Sequence, residues 1–250
     1  MAVSIKSARE IELMREAGKR LAHVHQELEA MIAPGISTWE IDAKGEKLIR
    51  DCGCIPNFLH YNGYPASICV SVNDEVVHGI PRKDRYLKEG DIVSLDAGLI
   101  YKGYHSDAAR THAVGKVSTE AQKLMDVTKQ SFFEGIKMAK EGQHLHDISR
   151  AIEAYVTPYG YGIVRDLVGH GIGTALHEDP QIPNYAQKRR GVRLQAGMTL
   201  AIEPMINAGT WQVRFLRDGW TVVTKDGSLS AHYENTILVT DGEPEILTLY

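Results

Sequence analysis

The sequence predicts an α+β fold made of two related halves, with helices covering one face of a joined antiparallel sheet. Three observations carry this reading. Two capped helices followed by strand-forming runs occur twice in succession. A shift of 107 positions places Gly90 on Gly197 and Asp96 on Glu203, so GDIVSLDAGL and GMTLAIEPMI become equivalent strands. The same shift places Gly35 on Gly142, Ile41 on Ile148, Glu46 on Glu153 and Gly53 on Gly160. Identities are few, and the agreement of helix starts, strand starts and acids at one offset carries the repeat. The expected organisation is one domain, 1–250, with halves at roughly 7–114 and 115–250.

The elements follow from local signals. Ser7 and Glu10 have capping-box spacing, and Ile11, Met14, Leu21, Val24 and Leu28 continue at helical intervals until Pro34-Gly35. Ser37 and Glu40 repeat the box and open a helix toward Gly53. Residues 66–80 read as two short strands around a turn at Asn73-Asp74. Gly90 to Ala113 reads as a hairpin turning at Lys102-Gly103, where glycine accepts the positive φ of a tight turn. Ser118 caps a helix expected to reach about Lys140, and another is expected from about His146 to Tyr155. A Gly-rich segment, a polar loop near Tyr185 to Gly191, and strand-like runs at 198–206, 220–224 and 231–239 complete the chain.

Bulk properties narrow the function classes. Hydrophobic residues make up 43% and charged residues 24%, ordinary values for a globular protein. A net charge of −4 supplies no overall drive toward nucleic acid. Cys52, Cys54 and Cys69 are too few and too oddly spaced for a disulfide framework or a zinc knuckle. The N-terminus is charged throughout and lacks the apolar core of a signal peptide, and no run approaches the ~20 apolar residues of a membrane span. A reduced, cytoplasmic setting without membrane contact is expected.

The hairpin also places chemistry. With Lys102 and Gly103 as loop residues, Asp107 lies opposite Gly98 and Asp96 opposite Ala109, on one face. Two like charges there repel unless a cation lies between them, although a solvated face would also tolerate them. His170 and His177 share a Gly-rich segment able to aim both imidazoles at one point. Glu203 is an acid within the apolar run Leu200–Ile206, and Glu234 lies in a similar run. Burying an unpaired carboxylate is costly, so such acids need a cation or donors. Four carboxylates and one imidazole suit a pair of divalent ions such as Mn, Fe, Co or Zn, and the chemistry implied is hydrolysis.

Asp96, Asp107 eleven residues on, then GHGIG at 169–173, Ile202-Glu-Pro204 and Tyr233-Glu-Asn235, in that order, resemble the pita-bread metallopeptidases. Within them the chain is similar to the type I methionine aminopeptidases. Supporting stretches are Tyr61-Asn-Gly-Tyr-Pro65, Val77-His-Gly-Ile-Pro81, Gly219-Trp-Thr-Val222 and Ser228-Leu-Ser-Ala-His232. The short stretch between His177 and Glu203 disfavours the type II enzymes, and the absence of an N-terminal domain disfavours prolidases. The alternatives are a prolidase-like peptidase cleaving before proline and a pita-bread binding protein without metals; the full set of five ligand residues opposes the second.

The resemblance implies two divalent ions. Asp96 would hold one, His170 and Glu203 the other, with Asp107 and Glu234 bridging them. It implies Glu203 as proton shuttle, His177 at the substrate carbonyl and His78 at the substrate backbone. Tyr61, Tyr64, Cys69 and Trp220 match a methionine pocket, where aromatic faces and sulfur suit a thioether. Phe58 and Leu176 depart from the usual bacterial pattern of Cys and Phe, as compensating volume changes that keep methionine selectivity. Asn73 and Ser230 match a monovalent-cation site. The partners implied are N-termini of nascent chains, met by a monomer. The basic cluster Lys188, Arg189, Arg190 and Arg193 is a solvated loop or a contact with ribosomal RNA.

Overall fold

The computed structural model describes residues 3–249. Among these residues four α-helices form: α1 (Ala8–Glu29), α2 (Thr38–Asp51), α3 (Thr119–Ile136) and α4 (Leu145–Val156). The two capping boxes close as their spacing implies. The Ser7 and Ser37 hydroxyls accept from the backbone of Glu10 and Glu40, whose carboxylates accept in return from the serine N–H groups. The Ser118 hydroxyl accepts from the Ala121 N–H. The helix it opens stops at Ile136, short of the Lys140 expected from the sequence, and Lys140 instead forms a bridge with Thr240.

The strands are β1 (Ile55–Pro56), β2 (Ile68–Val72), β3 (Glu75–Val77), β4 (Ile92–Tyr101), β5 (Tyr104–Ala113), β6 (Gly162–Ile163), β7 (Gly169–Gly171) and β8 (Glu178–Ile182). They continue with β9 (Thr199–Ile202), β10 (Met205–Asn207), β11 (Val213–Phe215), β12 (Val222–Thr224), β13 (Ser230–His232), β14 (Glu234–Leu238) and β15 (Glu245–Ile246). The main antiparallel sheet runs β1-β4-β5-β14-β9-β7-β8, with β2 also on β4 and β15 also on β14. The β4–β5 and β9–β14 pairs thus meet at its centre. Smaller sheets, β13-β10-β6 and β11-β12-β3, flank it.

Each helix pair has its own core. Leu21, Val24 and Leu28 of α1 and Ile41 and Ile49 of α2 pack on Leu95, Ala97 and Leu99 of β4. Leu124 and Phe132 of α3 and Ile148 and Ile152 of α4 pack on Ile202, Ile206 and Ile237. Because side chains alternate along a strand, residues 94, 96 and 98 of β4 turn away from the helices. The helices thereby fix which sheet face remains for a site.

The long hairpin has the expected register: Tyr101 pairs with Tyr104, Gly98 with Asp107 and Asp96 with Ala109. Lys102 and Gly103 both take positive φ, as a two-residue turn matching the strand twist requires. Two expected strands are interrupted. The run at 198–206 divides into β9 and β10 because Pro204 has no N–H to give a ladder, leaving Glu203 at the break instead of inside a strand. The run at 231–239 divides at Tyr233, whose N–H donates to the Pro204 carbonyl.

Candidate metal centre

The acids and imidazoles singled out by the sequence converge on one cavity of about 220 Å³, opening on the sheet face opposite the helices. Asp96, Asp107, His170, Glu203 and Glu234 form its floor, and Phe58, Tyr61, Tyr64, Cys69, His78, Leu176, His177 and Trp220 its walls. Ligand atoms of Asp107, His170 and Glu234 all lie within 4.8 Å of one another. The His170 Nε2 is 3.6 Å from Glu203 Oε1 and 3.9 Å from Asp107 Oδ2. The His170 Nδ1–H donates to the Gly171 carbonyl at 2.8 Å, leaving the Nε2 lone pair for a ligand role.

The electrostatics favour a bound cation. Burial pushes the Asp96 carboxyl up to about 7. Asp107 is raised by burial and then by Asp96 and Glu203, and Glu203 by burial and then by Asp96. Glu234 is raised by burial and then by Asp107, Glu203 and Asp96. Asp96 Oδ1, Asp107 Oδ1 and Glu234 Oε1 are buried without a hydrogen-bond donor. Burial pulls His170 down to about 3 and His78 to about 4, with His177 adding to both, so the imidazoles are neutral and free to ligate. Crowded acids with orphaned oxygens, beside a neutral imidazole, form the donor set of divalent cations with oxygen and nitrogen preference.

The frame is held from behind. The Thr236 hydroxyl binds the Asp107 backbone, and the Asn184 amide donates to the Glu203 carbonyl at 3.0 Å. His232, whose Nε2 is 3.7 Å from Glu203 Oε2, and Asn62, on the cavity wall, also belong to the site. The sequence reading gave none of these four a role, although Asn62 and His232 stand in stretches that carried the resemblance. Its usable signal was alternation: His232 and Thr236 are each two residues from Glu234 and share its face in an extended chain.

The apolar wall is a small aromatic cluster. Tyr64 meets Trp220 edge-on at 5.1 Å and donates to the Gly79 carbonyl at 2.9 Å. Cys69 pairs in register with Asp96, and burial followed by that acid keeps its thiol protonated. Phe58 and Leu176 pack in the same cluster. His78 holds a φ of 59° beside Trp220, a conformation unusual for a side-chain-bearing residue. The Tyr61 hydroxyl lies 2.8 Å from His177 Nδ1.

A model of metallopeptidase family M24 matches residues 12–241. The chain belongs to metallopeptidase family M24. Its M24 relatives include the methionine aminopeptidase of Clostridium acetobutylicum, 53% identical over 99% of this chain and 99% of its own. The solved methionine aminopeptidase from Thermotoga maritima is 46% identical, superposes with a TM-score of 0.97 and covers 100% of both chains. The Xaa-Pro dipeptidase from Bacillus anthracis is 26% identical with a TM-score of 0.80, but this chain spans only 61% of it. The pita-bread architecture is shared with both neighbours, and the full-length match lies with the methionine aminopeptidases.

Asn73 and Ser230 lie outside the cavity. The Ser230 N–H donates to the Asn73 carbonyl at 2.9 Å, and the Asn73 side chain is occupied by Asp91 and the Ile92 N–H. Lys188, Arg189, Arg190 and Arg193 are exposed, with Arg190 paired to Asp147 at 3.1 Å.

Proposed function

We propose that this chain is a dinuclear metal-dependent methionine aminopeptidase, removing the first methionine of nascent proteins whose second residue is small. The observation that carries the reading is the single cavity joining four buried carboxylates and an imidazole to an aromatic, sulfur-lined wall. Asp96 would hold one ion, His170 and Glu203 the other, and Asp107 and Glu234 both. Bound ions would supply Lewis acidity, lowering the pKa of a water and polarising the peptide carbonyl.

The chain's own groups would perform the rest. Glu203 would take the proton from the attacking water and pass it to the departing amine. Tyr61 would donate to His177 Nδ1, which places the ring hydrogen on Nε2, and His177 would donate it to the developing oxyanion. His78 would hold the backbone beyond the cleaved bond. Tyr64, Cys69, Trp220, Phe58 and Leu176 would enclose the thioether side chain.

The metal-reconstituted protein offered Met-Ala-Ser, Met-Leu-Ser and Ala-Pro peptides tests this reading. Turnover of Met-Ala-Ser alone supports it. Cleavage of Ala-Pro would replace it with a prolidase-like activity, and no turnover with any divalent ion would leave a binding protein.

Further parts of the proposal are a monomer in the cytoplasm, halves at about 7–114 and 115–250 as an internal repeat, and a monovalent cation at Asn73 and Ser230. Ribosome contact through Lys188, Arg189, Arg190 and Arg193 is supported by their exposure. Co-sedimentation with ribosomes that persists after reversing all four charges would remove it. No helix among the described residues is long and apolar enough to cross a membrane.

A further inference from the structure

Glu203 lies between two imidazoles. Its Oε1 is 3.6 Å from His170 Nε2, and its Oε2 is 3.7 Å from His232 Nε2. His232 ends β13 and is 2% exposed, and neither of its ring nitrogens has a hydrogen-bond partner in the fold. Its Nε2 is also 3.9 Å from Glu234 Oε2, so one ring nitrogen faces two of the crowded carboxylates. A buried polar atom in this state needs a partner, and the acids are the groups within reach.

His232 stands outside the group formed by Asp107, His170 and Glu234, whose ligand atoms lie within 4.8 Å of one another. It also lines a second cavity, of about 370 Å³, together with Arg110, His112, Asp126 and Lys129. With Nε2 facing two carboxylate oxygens and Nδ1 buried away from them, the ring hydrogen belongs on Nε2, where it can be donated.

We infer that His232 is a positioning residue for Glu203. Its Nε2–H holds Glu203 Oε2, so that Oε1 is the oxygen left for the cation beside His170 and for proton transfer. A shift of roughly 0.8–1 Å brings the present separation to the length of an N–H bond to a carboxylate. Fixing one oxygen stops the carboxylate from rotating between the two imidazoles, which is the work that outer hydrogen bonds do for ligating carboxylates. This assignment rests on the proposed metal site.

His232→Leu removes the donor at similar volume, and His232→Gln keeps an N–H donor. In the full chain, Co²⁺ affinity is measured by calorimetry, the visible spectrum of the Co²⁺ form reports nitrogen ligation, and kcat and KM are read with Met-Ala-Ser. For His232→Leu, Co²⁺ affinity should fall about tenfold and kcat at least about tenfold. KM should stay within about threefold, and the Co²⁺ bands should keep their position. His232→Gln should recover most of both losses. The assignment is overturned if the Leu variant matches the parent in affinity and kcat, or if the Gln variant is as impaired as the Leu variant. Bands showing a lost nitrogen ligand in both variants would overturn it as well. Should the Leu variant not fold, the Gln variant still decides, since a tenfold loss there removes the role. Co²⁺ affinity is read without substrate, so a parent that binds Co²⁺ in a His232-dependent way but leaves Met-Ala-Ser intact supports the positioning role and removes the peptidase reading.

Discussion

The Thr236 hydroxyl occupies both backbone groups of Asp107, accepting from its N–H at 3.0 Å and donating to its carbonyl at 2.9 Å. Strands β5 and β14 pair through Ala109–Glu234 and Ala108–Asn235, and at the next step a side chain replaces the ladder. The central acid is thereby tied to the strand that carries Glu234. Thr236→Val keeps the shape and removes the hydroxyl, leaving two buried backbone groups unpaired at about 1–3 kcal/mol each. Chemical denaturation should show a combined loss of about 2–6 kcal/mol, and calorimetry a weaker divalent-ion affinity. Unchanged stability would mean that the backbone re-pairs directly with β14.

Asp107 carries an oxygen without a donor and lies within ligand distance of both His170 and Glu234. As the proposed bridging acid it should be needed for both proposed ions. Asp107→Ala is therefore expected to take the calorimetric stoichiometry from two to none, and Asp96→Ala to take it from two to one. One ion retained by Asp107→Ala would remove its bridging role.

Glu203 is the carboxylate set at the strand break, with one oxygen toward each imidazole. As the proposed proton shuttle it should contribute about 10²–10⁴ in rate. Glu203→Ala, assayed on Met-Ala-Ser at saturating metal, should lose at least that much kcat. Residual activity above a few per cent would show that another group moves the proton.

Much of this site was legible because local rules determine its parts. A two-residue turn at Lys102-Gly103 sets hairpin parity, and parity alone puts Asp96 and Asp107 on one face. Serine and glutamate three apart announced both N-terminal helices. Glu203 was found as an acid in an apolar run, but its placement depends on Pro204 breaking the ladder, a tertiary consequence of strand pairing. Strands β8 and β11 were missed since EDPQI carries no apolar alternation and VRF, though it alternates, is too short to show a period; both exist through their neighbours. His232, Asn184 and Thr236 support residues that carry the ligand atoms; alternation with Glu234 was the one signal for His232 and Thr236, and Asn184 had none.

The pH response of the metal-free protein follows from the crowded acids. Asp96 has a folded-state pKa raised by burial from the ordinary value to about 7. The folded state then binds a proton that the unfolded chain has released, so stability falls as pH rises from about 4 toward 7. Below about 4 both states are protonated and the penalty vanishes. Asp96→Asn removes this group and also relieves Asp107, Glu203 and Glu234, which it raises. Without metal, the variant should be more stable than the parent at pH 7 by a few kcal/mol, at about 1.4 kcal/mol per pKa unit, and equal to it near pH 3. The difference between the two proteins isolates the acids from the buried histidines, whose low pKa values act in the opposite sense. Saturating divalent metal should reverse the sign at pH 7, because the parent then gains a ligand.

Gly18 of α1 sits directly on the C-terminal segment, where an added Cβ would lie 2.1 Å from the Leu247 carbonyl oxygen and 2.6 Å from its carbon. Backbone cannot give way there easily. The Leu247 N–H is bound to the Thr236 carbonyl at 2.9 Å, and Arg15 grips Glu245 through two hydrogen bonds of 2.8 and 2.7 Å. Helix propensity favours alanine over glycine by about 1 kcal/mol, so propensity and packing oppose each other. Overpacking against fixed backbone costs about 1–3 kcal/mol and should win. Gly18→Ala is expected to lower the melting temperature by several degrees. Since Leu247 hangs from Thr236, the same residue that holds Asp107, the variant should also lose divalent-ion affinity. A melting temperature at or above the parent's would show that the C-terminal segment moves aside and that α1 does not brace the metal site.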